Sequence, residues 1–180
     1  MSRTFYSQTS ISFKAGDALI DPLVVNLGNT PTSLSSKKLS FDINIDGNKE
    51  NISIPSSSSG FLVLDKNKNG SIDDGSELFG PQTGNGFDEL SKYDTYNNGW
   101  LDENDPIYDN LQIWQHDDSG NSSLIALGKA GVGAIYLKNV ETDFKYTDNQ
   151  NKTEGVLRQT SIFLRENGTA GTVQHIDLAI

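Results

Sequence analysis

The sequence predicts an α+β fold, in which short strands and hairpins alternate with short helices set around acidic turns. Three observations carry that reading. Apolar residues alternate in short runs toward both ends of the chain, helical spacing appears only in brief pieces near its middle, and clusters of Asp, Asn and Gly punctuate the runs. With 180 residues the chain can bury one core, and it is read as a single domain over residues 1–180.

Taken in order, residues 4–14 and 22–27 read as strands, and Ser40 to Ile54 as two more around a turn at Gly47. Pro55, four serines and Gly60 form a loop, after which Phe61-Leu62-Val63-Leu64 reads as a short buried strand. Phe87 to Tyr93 has helical character. Ile107, Leu111 and Trp114 recur at helical spacing, with Asp105 as N-cap and Pro106 as first helical residue. Leu124 to Leu127 continues as a helix ending near Gly131, and Ala134 to Leu137 returns as a strand. Residues 139–180 read as a β-hairpin region: Ile162 and Leu164 alternate into Glu166-Asn167-Gly168-Thr169, and Ile176, Leu178 and Ile180 alternate on the way back. His175, on the polar side of that last strand, and His116, in a loop, are expected to face solvent.

Between Phe61-Leu64 and the first helix lies the run from Asp65 to Glu77, which places oxygen donors at alternating positions around a glycine bend. A calcium ion takes six to eight hard oxygen ligands, and a loop supplies them from positions 1, 3, 5, 7 (a main-chain carbonyl), 9 and a late carboxylate, with glycine at 6. Asp65, Asn67, Asn69, the Ser71 carbonyl, Asp73 and Glu77 fill those places, with Gly70 at the bend and Glu77 at the thirteenth position in place of the twelfth. An Asn/Asp/Gly-rich surface turn is the alternative. The spacing recurs in Asp94, Asn98, Trp100 (carbonyl), Asp102 and Asp105 around Gly99, with Tyr96 a poor donor at position 3. Asp42, Asn44, Asp46, Asn48 and Glu50 around Gly47 match positions 1 to 9, although Asp42, Asn44 and Asp46 also fit the solvent face of a strand whose other face carries Phe41, Ile43 and Ile45. His116 to Asn121 is a shortened, degenerate version without a late acid. Together these make the expected architecture EF-hand-like: calcium loops between short helices.

Charge follows the loops. Residues 42–118 hold 16 Asp/Glu against 4 Lys/Arg, and the remaining residues hold 8 against 10, within a formal net charge of −10. Bound cations offset such local repulsion. The chain lacks the basic stripe that nucleic acid requires, and it has no cysteine, which excludes disulfides, thiolate nucleophiles and cysteine-based zinc sites. No apolar run reaches the length of a membrane span, and no phosphate-cradling glycine loop, nucleophile elbow or histidine-rich zinc signature is present. The carboxylates that could suggest a glycosidase lie almost all inside the loops. Dockerin-like pairing needs two nearly identical repeats, and these loops differ in length and flanks.

The combination Asp21-Pro22-Leu23-Val24-Val25, Phe41-Asp42-Ile43-Asn44-Ile45-Asp46-Gly47, Gly60-Phe61-Leu62-Val63-Leu64-Asp65, Glu77-Leu78-Phe79-Gly80, Trp100-Leu101-Asp102 and Leu111-Gln112-Ile113-Trp114 resembles the self-processing module of iron-regulated RTX proteins, over about residues 21–138. Related segments occur in large bacterial secreted or surface proteins. The resemblance implies a calcium-binding module of a larger exported bacterial chain that folds on binding Ca²⁺; the module is expected to be a monomer. It also implies, as an alternative function, cleavage of the Asp21-Pro22 bond by Asp21 itself through an aspartyl anhydride, with capture of the aspartyl group by a lysine of another protein.

Overall fold

A computed structural model describes residues 19–117 and 119–180. The strand expected over residues 4–14 lies outside them. The described chain is mostly β, built from β1 (Leu19–Ile20), β2 (Leu23–Asn26), β3 (Leu34–Phe41), β4 (Glu50–Pro55), β5 (Ser59–Leu64), β6 (Trp100–Asp102), β7 (Leu111–His116), β8 (Ser122–Ala126), β9 (Val132–Tyr136), β10 (Val140–Thr147), β11 (Thr153–Arg165) and β12 (Ala170–Ala179). The α-helix among these residues, α1 (Gly86–Ser91), is capped by Asn85, whose side chain accepts the Asp88 N–H.

Ten strands form one antiparallel sheet ordered β6-β9-β11-β12-β2-β5-β7-β8, with β1 added to β12 and β10 to β11; β3 and β4 pair separately. Both faces of the central strands are covered, which is why their sequences run continuously apolar instead of alternating. On one face Leu23, Val25, Leu62, Ile113, Phe163 and Val173 pack against Phe79, Phe87, Leu90 and Leu101 from the long segment between β5 and β7. On the other, Val24, Phe61, Val63, Ile176 and Leu178 pack against Phe41, Ile43, Ile52 and Ile54 of the β3–β4 hairpin.

This architecture overturns the α+β expectation. Ile107, Leu111 and Trp114 do not share a helix: a single 3₁₀ turn, Tyr108–Asn110, leads directly into β7, and Leu124 to Leu127 lies in and just after β8. The physical cause is the doubly buried sheet. In β7, Leu111 and Ile113 enter one core while Trp114 enters the other, so apolar residues at both parities imitate helical spacing over a short run. Asp105 consequently caps no helix. The flanks of the acidic loops are strands and 3₁₀ turns more than helices, so the helix-loop-helix frame of an EF-hand is absent among the described residues. Strands at 22–27, at 61–64 and at 134–137, the helix near Phe87, and the C-terminal hairpin are found close to where they were expected, whereas the strand expected from Ser40 toward Gly47 ends at Phe41, so Asp42, Asn44 and Asp46 line no strand face.

Candidate functional site

The three acidic loops adopt one conformation. Position 4 of each carries a positive φ on a non-glycine residue, 64° at Ile45, 59° at Lys68 and 51° at Asn97, and position 6 carries 89° at Gly47, 81° at Gly70 and 80° at Gly99. The left-handed region at position 6 explains the glycine. In each loop the first aspartate receives two main-chain N–H groups. Asp42 accepts from Asp46 and Gly47 at 3.1 and 2.9 Å, Asp65 from Asn69 and Gly70 at 3.2 and 2.8 Å, and Asp94 from Asn98 and Gly99 at 3.2 and 2.9 Å. The side chains at position 5 likewise each accept the N–H two residues on: Asp46 from Asn48, Asn69 from Ser71 and Asn98 from Trp100. Asn44 and Asn67, at position 3, make the same Asx turn to Asp46 and Asn69.

The late acids close the loops. Buried Glu77 accepts the N–H groups of Lys66 and Asp73, both at 2.9 Å, and buried Asp105 accepts those of Thr95 and Asp102 at 2.8 and 3.1 Å. Both therefore bridge positions 2 and 9, and the extra residue before Glu77 is absorbed in a 3₁₀ turn, Gly75–Glu77, capped by Asp74. Glu50 serves the first loop in the same sense, accepting from Ile43 N–H at 3.3 Å. Asn67 and Asn69 both donate to Asp73, at 2.8 and 2.7 Å, so Asp65, Asn67, Asn69 and Asp73 converge within one turn. These oxygen-only donor sets suit a hard cation. The degenerate loop is a tight turn in which Asp117 accepts from Ser119 and Asn121.

The loops are wired to each other and to Asp21. Gly75 donates to the Asp42 carbonyl at 2.8 Å, and a Cβ on Gly75 would lie 1.9 Å from the Ile43 carbonyl oxygen. The chain leaving Glu77 pairs with β2 through Leu23 N–H to the Phe79 carbonyl, 2.9 Å, and a Cβ on Gly80 would lie 1.9 Å from the Asp21 carbonyl oxygen. Gly80 is held from the other side by Glu89 of α1, which accepts its N–H at 2.9 Å, and α1 leads into the Asp94 loop.

Asp21 itself meets a buried polar cluster. His175 Nε2 lies 3.4 Å from Asp21 Oδ2 and 3.4 Å from Asp177 Oδ1, and His175 is 5 % exposed, which corrects the expectation that it faces solvent. Its alternation on β12 puts His175 and Asp177 on the same side. A β-bulge in β11 between Leu157 and Gln159 makes Arg158 the extra residue, and its Nε donates to Asp177 Oδ2 at 2.7 Å. Gln159 Oε1 stands 3.4 Å from His175 Nδ1. Burial by itself would lower the His175 pKa; the Asp177 and Asp21 carboxylates outweigh it and hold the imidazole at about 9. Burial likewise raises Asp177, and His175 and Arg158 more than reverse this, holding it below the usual carboxylate range. Asp21, His175 and Asp177 place three ligand-type atoms within 4.8 Å of one another.

The sequence singled out the three loops and Asp21, but not the side chains that surround Asp21: His175, Asp177, Arg158 and Gln159. The available signal was His175-x-Asp177, two polar residues at strand period inside an apolar run. His116 is buried too, at the end of β7 with its ring 4.7 Å from Trp114, and burial lowers its pKa.

The chain is 27 % identical over 177 residues to the iron-regulated protein FrpA of Neisseria meningitidis serogroup C, an alignment that takes in 88 % of this chain and 15 % of that relative. It thus spans only a small part of the length of the relative it matches. The SPM domain model matches residues 23–179, beginning directly after Pro22 and running through β12, so the chain belongs to the SPM domain family.

Proposed function

We propose that this domain is a calcium-binding module of a larger exported bacterial protein, and that calcium stabilises its folded state. The observation that carries the reading is the threefold recurrence of one loop geometry, each with a first aspartate, left-handed residues at positions 4 and 6, and a carboxylate bridging back to position 2. Asp42, Asn44, Asp46, Asn48 and Glu50 would hold one ion; Asp65, Asn67, Asn69, Asp73, Glu77 and the Ser71 carbonyl a second; Asp94, Asn98, Asp102, Asp105 and the Trp100 carbonyl a third. Calcium, when bound, supplies the positive charge that offsets repulsion within each carboxylate set. Native mass spectrometry in calcium and after EDTA tests this: up to three ions are expected, and an ion-free spectrum at millimolar calcium overturns it.

A second activity, cleavage of the Asp21-Pro22 bond, is favoured by the packing of Gly80 on the Asp21 carbonyl and by the buried cation beside the Asp21 carboxylate. An Asp21 side-chain oxygen attacks its own main-chain carbonyl carbon; the C–N bond to Pro22 breaks, and a five-membered cyclic anhydride remains on Asp21. Water, or a lysine amine of another protein, then opens it. Position does most of the work in such an internal attack. Because Gly80 follows the Asp65–Glu77 loop and is tied through Glu89 to the helix before the Asp94 loop, ordering of both loops sets the surroundings of the bond. Intact mass after incubation with calcium reads the outcome: fragments 1–21 and 22–180 are expected, and Asp21→Asn should yield only the uncut chain.

A further inference from the structure

Resting on the cleavage reading above, we propose that His175 is its acid: an imidazolium that lies against the attacking Asp21 carboxylate and gives its Nε2 proton to the departing Pro22 nitrogen. Four observations place it there. Its Nε2 is 3.4 Å from the attacking carboxylate and equally far from Asp177, it is almost fully buried, and neither contact is a short hydrogen bond that would fix the proton on one partner. The Pro22 main chain runs along the same stretch of β12, since Ile176, the residue after His175, donates its N–H to the Pro22 carbonyl at 3.3 Å. Third, the imidazole is supported from two elements: Asp177, itself held by Arg158 from the β11 bulge, and Gln159 opposite Nδ1. A bulge that turns an arginine into a buried cluster is a device for aiming side chains. Fourth, the groups facing this histidine form an alternating set. Asp21 from the β1–β2 connection and Asp177 from β12 are negative, His175 and Arg158 positive; Asp143 of β10 lies 3.8 Å from Arg158, and Glu89 of α1 is turned to Gly80 and Thr83.

The charges balance through the step. Before attack the site holds a carboxylate and an imidazolium. Formation of the anhydride C–O bond consumes the carboxylate charge, and rupture of the C–N bond leaves an electron pair on the proline nitrogen. The Nε2 proton moves to that nitrogen, leaving a neutral secondary amine, a neutral imidazole and a neutral anhydride. Loss of the Asp21 charge removes one of the two carboxylates that hold the proton on His175, so the imidazole becomes more acidic as the leaving group becomes more basic.

The test is the pH dependence of calcium-triggered cleavage of the full chain, followed by intact mass, in the unsubstituted protein, His175→Gln and Asp177→Asn. The unsubstituted protein is expected to cleave with a rate that declines on the alkaline side as His175 loses its proton. His175→Gln should slow the reaction about a hundredfold or more and abolish that alkaline decline. Asp177→Asn should shift the decline to lower pH, because one carboxylate supporting the imidazolium is gone. Near-unchanged rate and profile in a folded His175→Gln, or an unmoved alkaline decline in Asp177→Asn, overturns the role of His175 while leaving self-cleavage standing. Absence of any cleavage in the unsubstituted protein overturns both.

Discussion

Removal of the Glu77 carboxylate separates the scaffolding and metal-binding uses of a single side chain. In Glu77→Ala the N–H groups of Lys66 and Asp73 lose a common buried acceptor, each at 2.9 Å. Hydrogen bonds to charged groups contribute about 1.5–3 kcal/mol each, and water can reach part of the space vacated, so the lower end of the range applies: about 3 kcal/mol in EDTA. For a domain of this size that lowers the melting temperature by about 6–12 °C. With calcium at a hundred times Kd, the unsubstituted protein gains about 2.7 kcal/mol from each occupied site, a gain this variant forfeits at one of them. Melting curves of both proteins in EDTA and in calcium therefore form a cycle. The deficit should be larger in calcium by about 2–3 kcal/mol. Equal deficits under the two conditions would refute the assignment of Glu77 as a ligand and leave it as a loop-closing acceptor.

Other perturbations probe other links. Gly80→Ala pushes a methyl group against the Asp21 carbonyl and strains a residue at φ 122°; it should destabilise the fold by about 2 kcal/mol or more in thermal melts and slow any cleavage at Asp21. Trp100, in the third loop with its ring centroid 4.7 Å from that of Tyr136, should change fluorescence on calcium addition, and Asp94→Ala should remove the response; a surviving response would assign it to another loop. His175, raised in the folded state from 6.5 to about 9, contributes stability that is fully present below about pH 6.5 and is lost as pH rises through 9. Urea titrations at pH 6 and pH 10 should differ by up to about 3 kcal/mol more in the unsubstituted protein than in His175→Gln.

The acidic loops were legible because their chemistry is local. Asp65, Asn67, Asn69 and Gly70 bend the chain through contacts spanning five residues or fewer, and the same is true at Asp42 and Asp94. The turns at Gly47 and Asn167-Gly168 declared themselves for the same reason. What failed was any inference that depended on how many sides of an element are covered. Leu111 to Trp114 and Leu124 to Leu127 look helical when one buried face is assumed, and become strands once the β3–β4 hairpin covers the second face of the sheet. His175 was misplaced by the same assumption, since a strand covered on both sides has no solvent face to turn a histidine toward. Arg158 could not be placed at all, because a bulge is a property of register between two strands distant in sequence from Asp21.

The position of β12 has a consequence for timing. It is the last strand of the domain, yet it lies in the interior of the sheet, between β11 and β2, and it brings His175 and Asp177 to an aspartate at the domain's start. A chain emerging N-terminus first displays Asp21-Pro22 long before either partner exists. Until the final strand inserts, β1 and β2 have no neighbour on that side, and Asp21 is an ordinary solvated carboxylate. Contacts between such distant segments form late and slowly. The surroundings of Asp21 thus act as a completion signal: they are assembled only after the whole domain has been made and closed, so a truncated or stalled chain presents the bond without the cluster beside it.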